Sequence, residues 1–233
     1  MPGSADSRIA VVIPAFRAAA TVAEVVTRAA GALPGASVYV VDDGSGDDTA
    51  ARARAAGAQV YPHSKNRGKG AALTTGVDRA LGDGAAWIVT LDADGQHPPE
   101  RLPALLDLLQ RGEADLVLGS RERTAAMPWP RRLTNRVSAA LASRVGGTPV
   151  ADAQTGYRAF TREVALRVRP RETRYDYETA FLLAALAAGF RMRAVPVPTI
   201  YAGEASHFRS WTDTWLLALV FFRYGRHILF GAP

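Results

Sequence analysis

The sequence predicts an α/β protein with a mostly parallel sheet and helices on both faces, and three observations carry that expectation. Strand-like runs alternate with segments of helical periodicity through the first half of the chain. The first run, Ile9 to Ile13, is continuously apolar and β-branched, as in a parallel strand covered on both faces. Two of the runs end directly in acidic clusters, at the strand edge where open α/β sheets bind ligands.

The elements follow in order. Pro14 ends the first strand, and Val22, Val25, Val26, Ala29 and Leu33 recur at helical spacing until Pro34-Gly35 stops them. Val38 to Val41 reads as the second strand. Asp47 or Asp48 caps a short alanine-rich helix ending at Gly57, and Gln59 to Tyr61 is a short third strand. A helix to about Leu81 follows the loop from Pro62 to Gly68. Trp87 to Leu91 is a fourth strand, Pro99 to Gln110 an amphipathic helix, and Leu116 to Leu118 a fifth strand. Beyond Ser120 the pattern changes to a proline- and arginine-rich loop, a helix from about Leu133 to Val145, a turn-rich segment around Asp152 to Tyr157, a helix over Tyr177 to Ala188 and a strand-like RMRAVPV. With no repeat and no long linker, the expected organisation is one domain over 1–233: a ligand-binding half over 1–120, an elaboration over 121–210, and an amphipathic or apolar C-terminal helix over 211–233.

A chain of 233 residues, 48% hydrophobic and 21% charged, suits a globular fold with one core. It contains no cysteine, so a metal would be held by oxygen or imidazole ligands. The formal charge of +6 favours anionic partners, yet arginine is dispersed, and no basic run of the kind found in nucleic-acid arms is present. Nucleic acid is therefore not the expected partner. The N-terminal residues lack a basic n-region, and Trp211 to Phe230 is interrupted by Arg223, Arg226 and His227, short of the ~20 apolar residues a transmembrane helix needs. The expectation is a cytoplasmic protein, with that last segment either packed on the core or lying on a membrane surface.

The strongest chemical signal is LDADGQH, Leu91 to His97, at a strand end. Residues two apart in an extended segment share a side, so Asp92 and Asp94 both face the functional edge while Ala93 turns away. Two carboxylates can then approach one hard divalent cation whose open positions take substrate phosphates, with Gln96 or His97 as a further ligand or phosphate contact. A solvated turn competes with this reading. In VVDDGSGDDT, Asp42 or Asp43 is placed to read a ribose or base, while Asp47 and Asp48 fit capping better. Arg67 and Lys69 precede a helix N-terminus, where a phosphate or plain solvation accounts for them. The first strand lacks G-x-G-x-x-G and Lys69 lacks P-loop spacing, which disfavours a dehydrogenase or a P-loop enzyme.

These segments, with GSR at Gly119 to Arg121, DAQTGYRAFTREV at Asp152 to Val164, YDYE at Tyr175 to Glu178 and GEASHFR at Gly203 to Arg209, resemble the inverting family 2 glycosyltransferases of Rossmann-like GT-A fold. The later set is similar to the branch of dolichol-phosphate mannose synthases and bacterial polyprenyl-phosphate glycosyltransferases. The resemblance implies that Pro14, Phe16, Asp42, Asp43 and Lys69 bind a UDP- or GDP-sugar together with Asp92 and Gln96. It places Asp92, Asp94 and Gln96 around Mg²⁺ or Mn²⁺ and the diphosphate, and makes Arg121, Arg132, His207 and Arg209 candidates for acceptor phosphate or leaving diphosphate. The chain departs from many relatives at Arg17 and Ala18, where they carry Asn and an acidic residue, which leaves base and donor preference open.

The implied reaction is displacement with inversion at the anomeric carbon. A polyprenyl phosphate acceptor is already anionic and needs no strong base. A hydroxyl acceptor needs one, with Glu178, Asp176 or Asp152 the candidates. Trp211, Trp215, Leu216, Leu219, Phe222 and Tyr224 would give a peripheral membrane contact, or else a core-packing face. A soluble glycosyltransferase acting on a sugar, metabolite or protein hydroxyl is the second reading, and a non-catalytic nucleotide or nucleic-acid binder is the third.

Overall fold

The computed structural model describes residues 8–121, 139–140, 142–144, 150, 152–174 and 176–198. Among them a seven-stranded sheet runs in the order β3-β2-β1-β4-β6-β5-β7. The strands are β1 (Ile9–Ala15), β2 (Ser37–Asp42), β3 (Gln59–Pro62), β4 (Trp87–Thr90), β5 (Leu116–Arg121), β6 (Arg158–Thr161) and β7 (Met192–Val197). The helices are α1 (Val22–Ala32), α2 (Thr49–Ala55), α3 (Lys69–Gly82), α4 (Leu102–Gln110) entered through a 3₁₀ turn at Pro99–Arg101, α5 (Arg162–Arg167) and α6 (Tyr177–Ala187).

Period-two alternation along β1 divides the core. Ala10 and Val12 join Leu73, Val77 and Ala80 of α3 and Phe181 and Leu182 of α6 on one face. Val11, Ile13 and Ala15 join Val22, Val25 and Val26 of α1 and Leu105, Leu106 and Leu109 of α4 on the other. The sheet is thus covered on both sides, as the continuous apolar strands require. Gly76 lets α3 lie close on β1, since a Cβ there would come within 2.4 Å of a Val12 methyl carbon.

β6 and α5 were not expected from the sequence. β6 pairs antiparallel with both β4 and β5 and separates them, so β5 is not the neighbour of β4 that simple alternation suggests. Four residues, RAFT, are too few to declare a period. The mostly parallel character holds, because β1, β2, β3 and β4 pair parallel, as do β5 and β7.

Residues 139–140 and 142–144 are helical, in keeping with the expected helix there, whose remainder lies outside the described residues. Arg132, His207, Arg209 and the 211–233 segment also lie outside them, as does the Arg121 side chain. No helix among the described residues is long and apolar enough to cross a membrane.

Candidate active site

The order β2-β1-β4 reverses direction at β1, and β1 outruns β4 there. Their last paired residues are Val12 and Thr90, followed by Leu91 N–H donating to the Val12 carbonyl at 3.1 Å. The Ala15 carbonyl accepts from Asp43 N–H on the β2 side, so Pro14 faces the β4 side, beyond the end of the β1–β4 ladder. A proline is tolerated at that point because no ladder bond is asked of its nitrogen. A crevice at such a reversal, outside the strand C-termini, is where open α/β sheets place ligands.

Two buried carboxylates tie the neighbouring strand ends together. Asp42 accepts from Ser45 N–H at 3.1 Å and closely from the Ser45 hydroxyl, whose oxygen takes the Arg17 N–H at 2.8 Å. Arg17 has φ 53°, a conformation that is costly for a non-glycine residue. Its guanidinium lies 5.2 Å from the centre of the Phe16 ring, which is 44% exposed. Asp43 accepts from the backbone N–H of Arg67 at 2.9 Å and of Gly68 at 2.8 Å, and lies 2.7 Å from His63 Nδ1. Asp42 and Asp43 are therefore buried organisers of the crevice wall, while Phe16 presents its ring. Asp47, assigned to capping, accepts from Thr49 N–H at 3.0 Å.

After β4, Leu91 and Ala93 are buried while Asp92 and Asp94 are partly exposed, so the alternation read from LDAD is present. Thr21 Oγ1 donates to the Ala93 carbonyl at 2.6 Å and anchors this segment to the start of α1. Asp94 accepts from Gln96 N–H at 2.9 Å, and Gly95, at φ 72°, makes the turn. His97 follows on the same segment. It is buried and stacked on Tyr157 at 5.2 Å, and the Tyr157 hydroxyl donates to the Pro98 carbonyl at 3.0 Å.

Lys69, the first residue of α3, reaches into the same edge. Its ammonium is 2.7 Å from Asp92 and 2.7 Å from Glu178 in the first turn of α6. Burial opposes this charge, but the two carboxylates outweigh it and hold the Lys69 pKa above the usual lysine range. The first two turns of α6, from Tyr177 to Leu183, are buried all round, and Glu178 is 3% exposed, which explains why an acidic residue there needs a cation. Asp152 and Asp176 are also buried, accepting from Gln154 N–H at 3.0 Å and Arg174 N–H at 3.2 Å.

Two residues of this edge carried no role in the sequence reading. Gly156 packs under the pair: a Cβ there would lie 2.7 and 2.8 Å from the Asp92 carboxylate oxygens and 2.8 Å from Lys69 Nζ. Arg158 is 3% exposed and donates to the carbonyls of Thr155 at 2.7 Å, Glu178 at 2.7 Å and Ala153 at 3.1 Å, bracketing the 153–155 turn against α6. Burial pulls its pKa below the usual guanidinium range, against the pull of Glu178 and Asp152. The available signal was an arginine inside the apolar run YRAF, a charge that must be buried if the run is a strand.

Of the residues singled out beforehand, the structure brings Lys69, Asp92 and Glu178 into direct contact. It sets Asp94 and Gln96 on the adjoining turn, and Pro14, Phe16, Asp42 and Asp43 at the neighbouring strand ends. Among the described residues no three Asp, Glu or His side chains form a metal cluster.

The model of the family described as Glycosyl transferase family 2 matches residues 10–169. An uncharacterized protein of Methanocaldococcus jannaschii is 35% identical over 171 residues, covering 71% of this chain and 70% of its own length. A polyprenol monophosphomannose synthase of Mycolicibacterium smegmatis is 32% identical over 203 residues, covering 82% of this chain and 76% of its own. Among solved structures, glucosyl-3-phosphoglycerate synthase from Mycobacterium tuberculosis in complex with Mn²⁺, UDP-glucose and phosphoglyceric acid superposes with TM-score 0.77 at 22% identity, covering 98% of this chain and 81% of that one. At that identity the superposition speaks for the fold, which is GT-A.

Proposed function

The chain belongs to glycosyltransferase family 2, and from that premise we propose that it transfers a sugar, with inversion, from a UDP- or GDP-sugar to a polyprenyl phosphate in a metal-dependent reaction. The observation that carries the donor half is the placement of Asp92 and Asp94 beyond β4, beside the β1–β4 reversal. The donor set fits Mg²⁺ or Mn²⁺, because small hard cations use one or two carboxylates and complete their shell with substrate phosphates and water. Asp92 and Asp94 would hold the ion, with Gln96 beside them. When bound, it would offset charge on the diphosphate leaving group.

The remaining roles rest on this chain's own residues. Pro14, Phe16, Asp42 and Asp43 shape and line the nucleoside side. Lys69 supplies positive charge at the diphosphate side. Arg121, Arg132, His207 and Arg209 are assigned to the acceptor phosphate. Asp152, Asp176 and Glu178, the candidate bases, are 2%, 8% and 3% exposed. Glu178 is paired with the Lys69 ammonium at 2.7 Å, and an acceptor that arrives already ionised, as a lipid phosphate does and an alcohol does not, asks for no base. The names of relatives lean the same way, since an undecaprenyl-phosphate mannosyltransferase of Micrococcus luteus is 30% identical over 202 residues. We assign the chain to one catalytic unit working peripherally at the cytoplasmic face of a membrane, with 211–233 as its contact segment. Membership of a transferase family sets aside the reading as a non-catalytic binder.

The test is a panel of UDP-, GDP- and dTDP-sugars with vesicles containing polyprenyl phosphate, with Mg²⁺, Mn²⁺ or chelator. One nucleotide sugar should be consumed, with a lipid-phosphate product, only when metal is present. Asp94→Asn should lower kcat/KM by about 100-fold or more, the scale of losing one preorganised charge-stabilising group. Transfer to a sugar or small-molecule hydroxyl with no lipid product and no vesicle binding would replace the acceptor assignment. Unchanged turnover in Asp94→Asn would remove the metal assignment.

A further inference from the structure

The ammonium of Lys69 occupies ground that a metal ion at Asp92 would share. It touches Asp92 Oδ1 and Glu178 Oε1, each at 2.7 Å, and Gly156 closes the pocket with only enough room for a hydrogen in place of a side chain. Its base is fixed as well. Gly68, at φ 97°, and Gly70 bring the start of α3 against the 172–173 backbone, and Gly70 N–H donates to the Thr173 carbonyl at 2.9 Å. Glu178 is committed to the same ammonium from the buried first turn of α6. Asp92 therefore carries a positive partner before any ligand arrives, and a divalent ion must compete with it. Two cations at hydrogen-bond range of one carboxylate repel each other strongly in a partly dehydrated site.

We infer that Lys69 is the resident counter-cation of Asp92, so that the Asp92–Asp94 pair takes up a divalent ion poorly by itself and well only with a nucleoside diphosphate, whose oxygens give the ammonium a new partner. The inference rests on the metal-and-diphosphate reading of the site and adds an order to it. Lys69 is here a positioning residue that holds Asp92 in place and, shared with Glu178, offsets part of its charge until the donor enters. If the paired state holds about nine-tenths of the molecules, apparent affinity for the ion alone falls about ten-fold.

The experiment measures Mn²⁺ binding by the loss of the free-ion electron paramagnetic resonance signal, with Mn²⁺ alone and with UDP or GDP, in the wild type, Lys69→Gln and Lys69→Arg. Wild type should bind Mn²⁺ alone weakly and with a diphosphate strongly. Lys69→Gln should bind Mn²⁺ alone about ten-fold more tightly than wild type, and Lys69→Arg, which keeps the charge, should remain weak. If Lys69→Gln gains no affinity for Mn²⁺ alone while wild type still takes up Mn²⁺ with a diphosphate, the counter-cation role is overturned and the donor site stands. If wild type takes up no Mn²⁺ even with a diphosphate, the donor-site reading falls and this inference with it. Should Lys69→Gln fail to fold, wild type still decides: Mn²⁺ bound as tightly alone as with a diphosphate overturns the inference.

Discussion

At the scale of single residues, the site depends on two that contribute no charge to a ligand. Gly156 faces the flexible ends of Asp92 and Lys69, not backbone, so a methyl there can be accommodated by displacing those two side chains. Gly156→Ala should therefore lower turnover about 100-fold, the cost of misplacing reacting groups by roughly an ångström, with a loss of stability as well to the extent that Lys69 is drawn away from the buried Glu178. Thermal melts beside steady-state rates decide it, and a large loss of stability with normal turnover in the folded fraction would contradict the account. Arg158 is the opposite case. Arg158→Met strips donors from the Thr155, Glu178 and Ala153 carbonyls; Glu178 keeps its helical bond, and the other two, as buried orphans at about 1–3 kcal/mol each, should make unfolding in denaturant show a loss of about 2 kcal/mol or more. A loss near zero would mean that water takes over those bonds.

At the scale of elements, what could be read in the sequence tracks how much of each element's environment is local. β1, α1, β2 and α3 declared themselves through continuous β-branched runs or helical spacing, and their bounds in the structure differ from the reading by a residue or two. LDAD follows the end of β4 and shows the expected alternation in burial, although Ala93 and Asp94 lie in a turn and not in the extended segment that the reading assumed. β6 was not legible, because RAFT becomes a strand only through pairing with β4 and β5, partners 40 to 74 residues away, from Leu118↔Arg158 to Trp87↔Thr161. The Lys69 contact with Glu178 was hidden likewise: each was a candidate alone, and only the packing of α6 beside α3 joins them. The edge strand β7 is fastened to β5 by Asp115, which accepts from Arg191 through both carboxylate oxygens at 2.8 to 3.1 Å. The Arg191 side-chain bond, foremost, holds the Asp115 pKa below the usual aspartate value of 3.8. A depressed carboxylate adds stability that is present above its unfolded pKa and lost as pH falls through its folded one. Acid melts should show this contribution fading below about pH 4, and Asp115→Asn should be less sensitive to pH over that window than wild type.

At the scale of the molecule, the question is whether 1–120 and the residues beyond it act as separate bodies. One apolar cluster runs from Val11 and Ile13 of β1 through Leu105 of α4 to Val117, Tyr157, Ala159 and Val197, and the other from Val12 and Val77 to Phe160, Phe181 and Met192. Neither half can expose its share of these cores without exposing the other's, so the described residues should unfold as one cooperative unit. A ligand bound at the crevice then stabilises all of it by mass action. At about 100 times its dissociation constant a nucleoside diphosphate with Mn²⁺ adds about 2.7 kcal/mol. For a chain of this size each kcal/mol moves the midpoint by about 2–4 °C, so a single transition should shift upward by roughly 5–11 °C. Differential scanning calorimetry with and without UDP or GDP and Mn²⁺ separates the alternatives: two transitions, only one of which moves with ligand, would show that residues 1–120 fold independently of those beyond them.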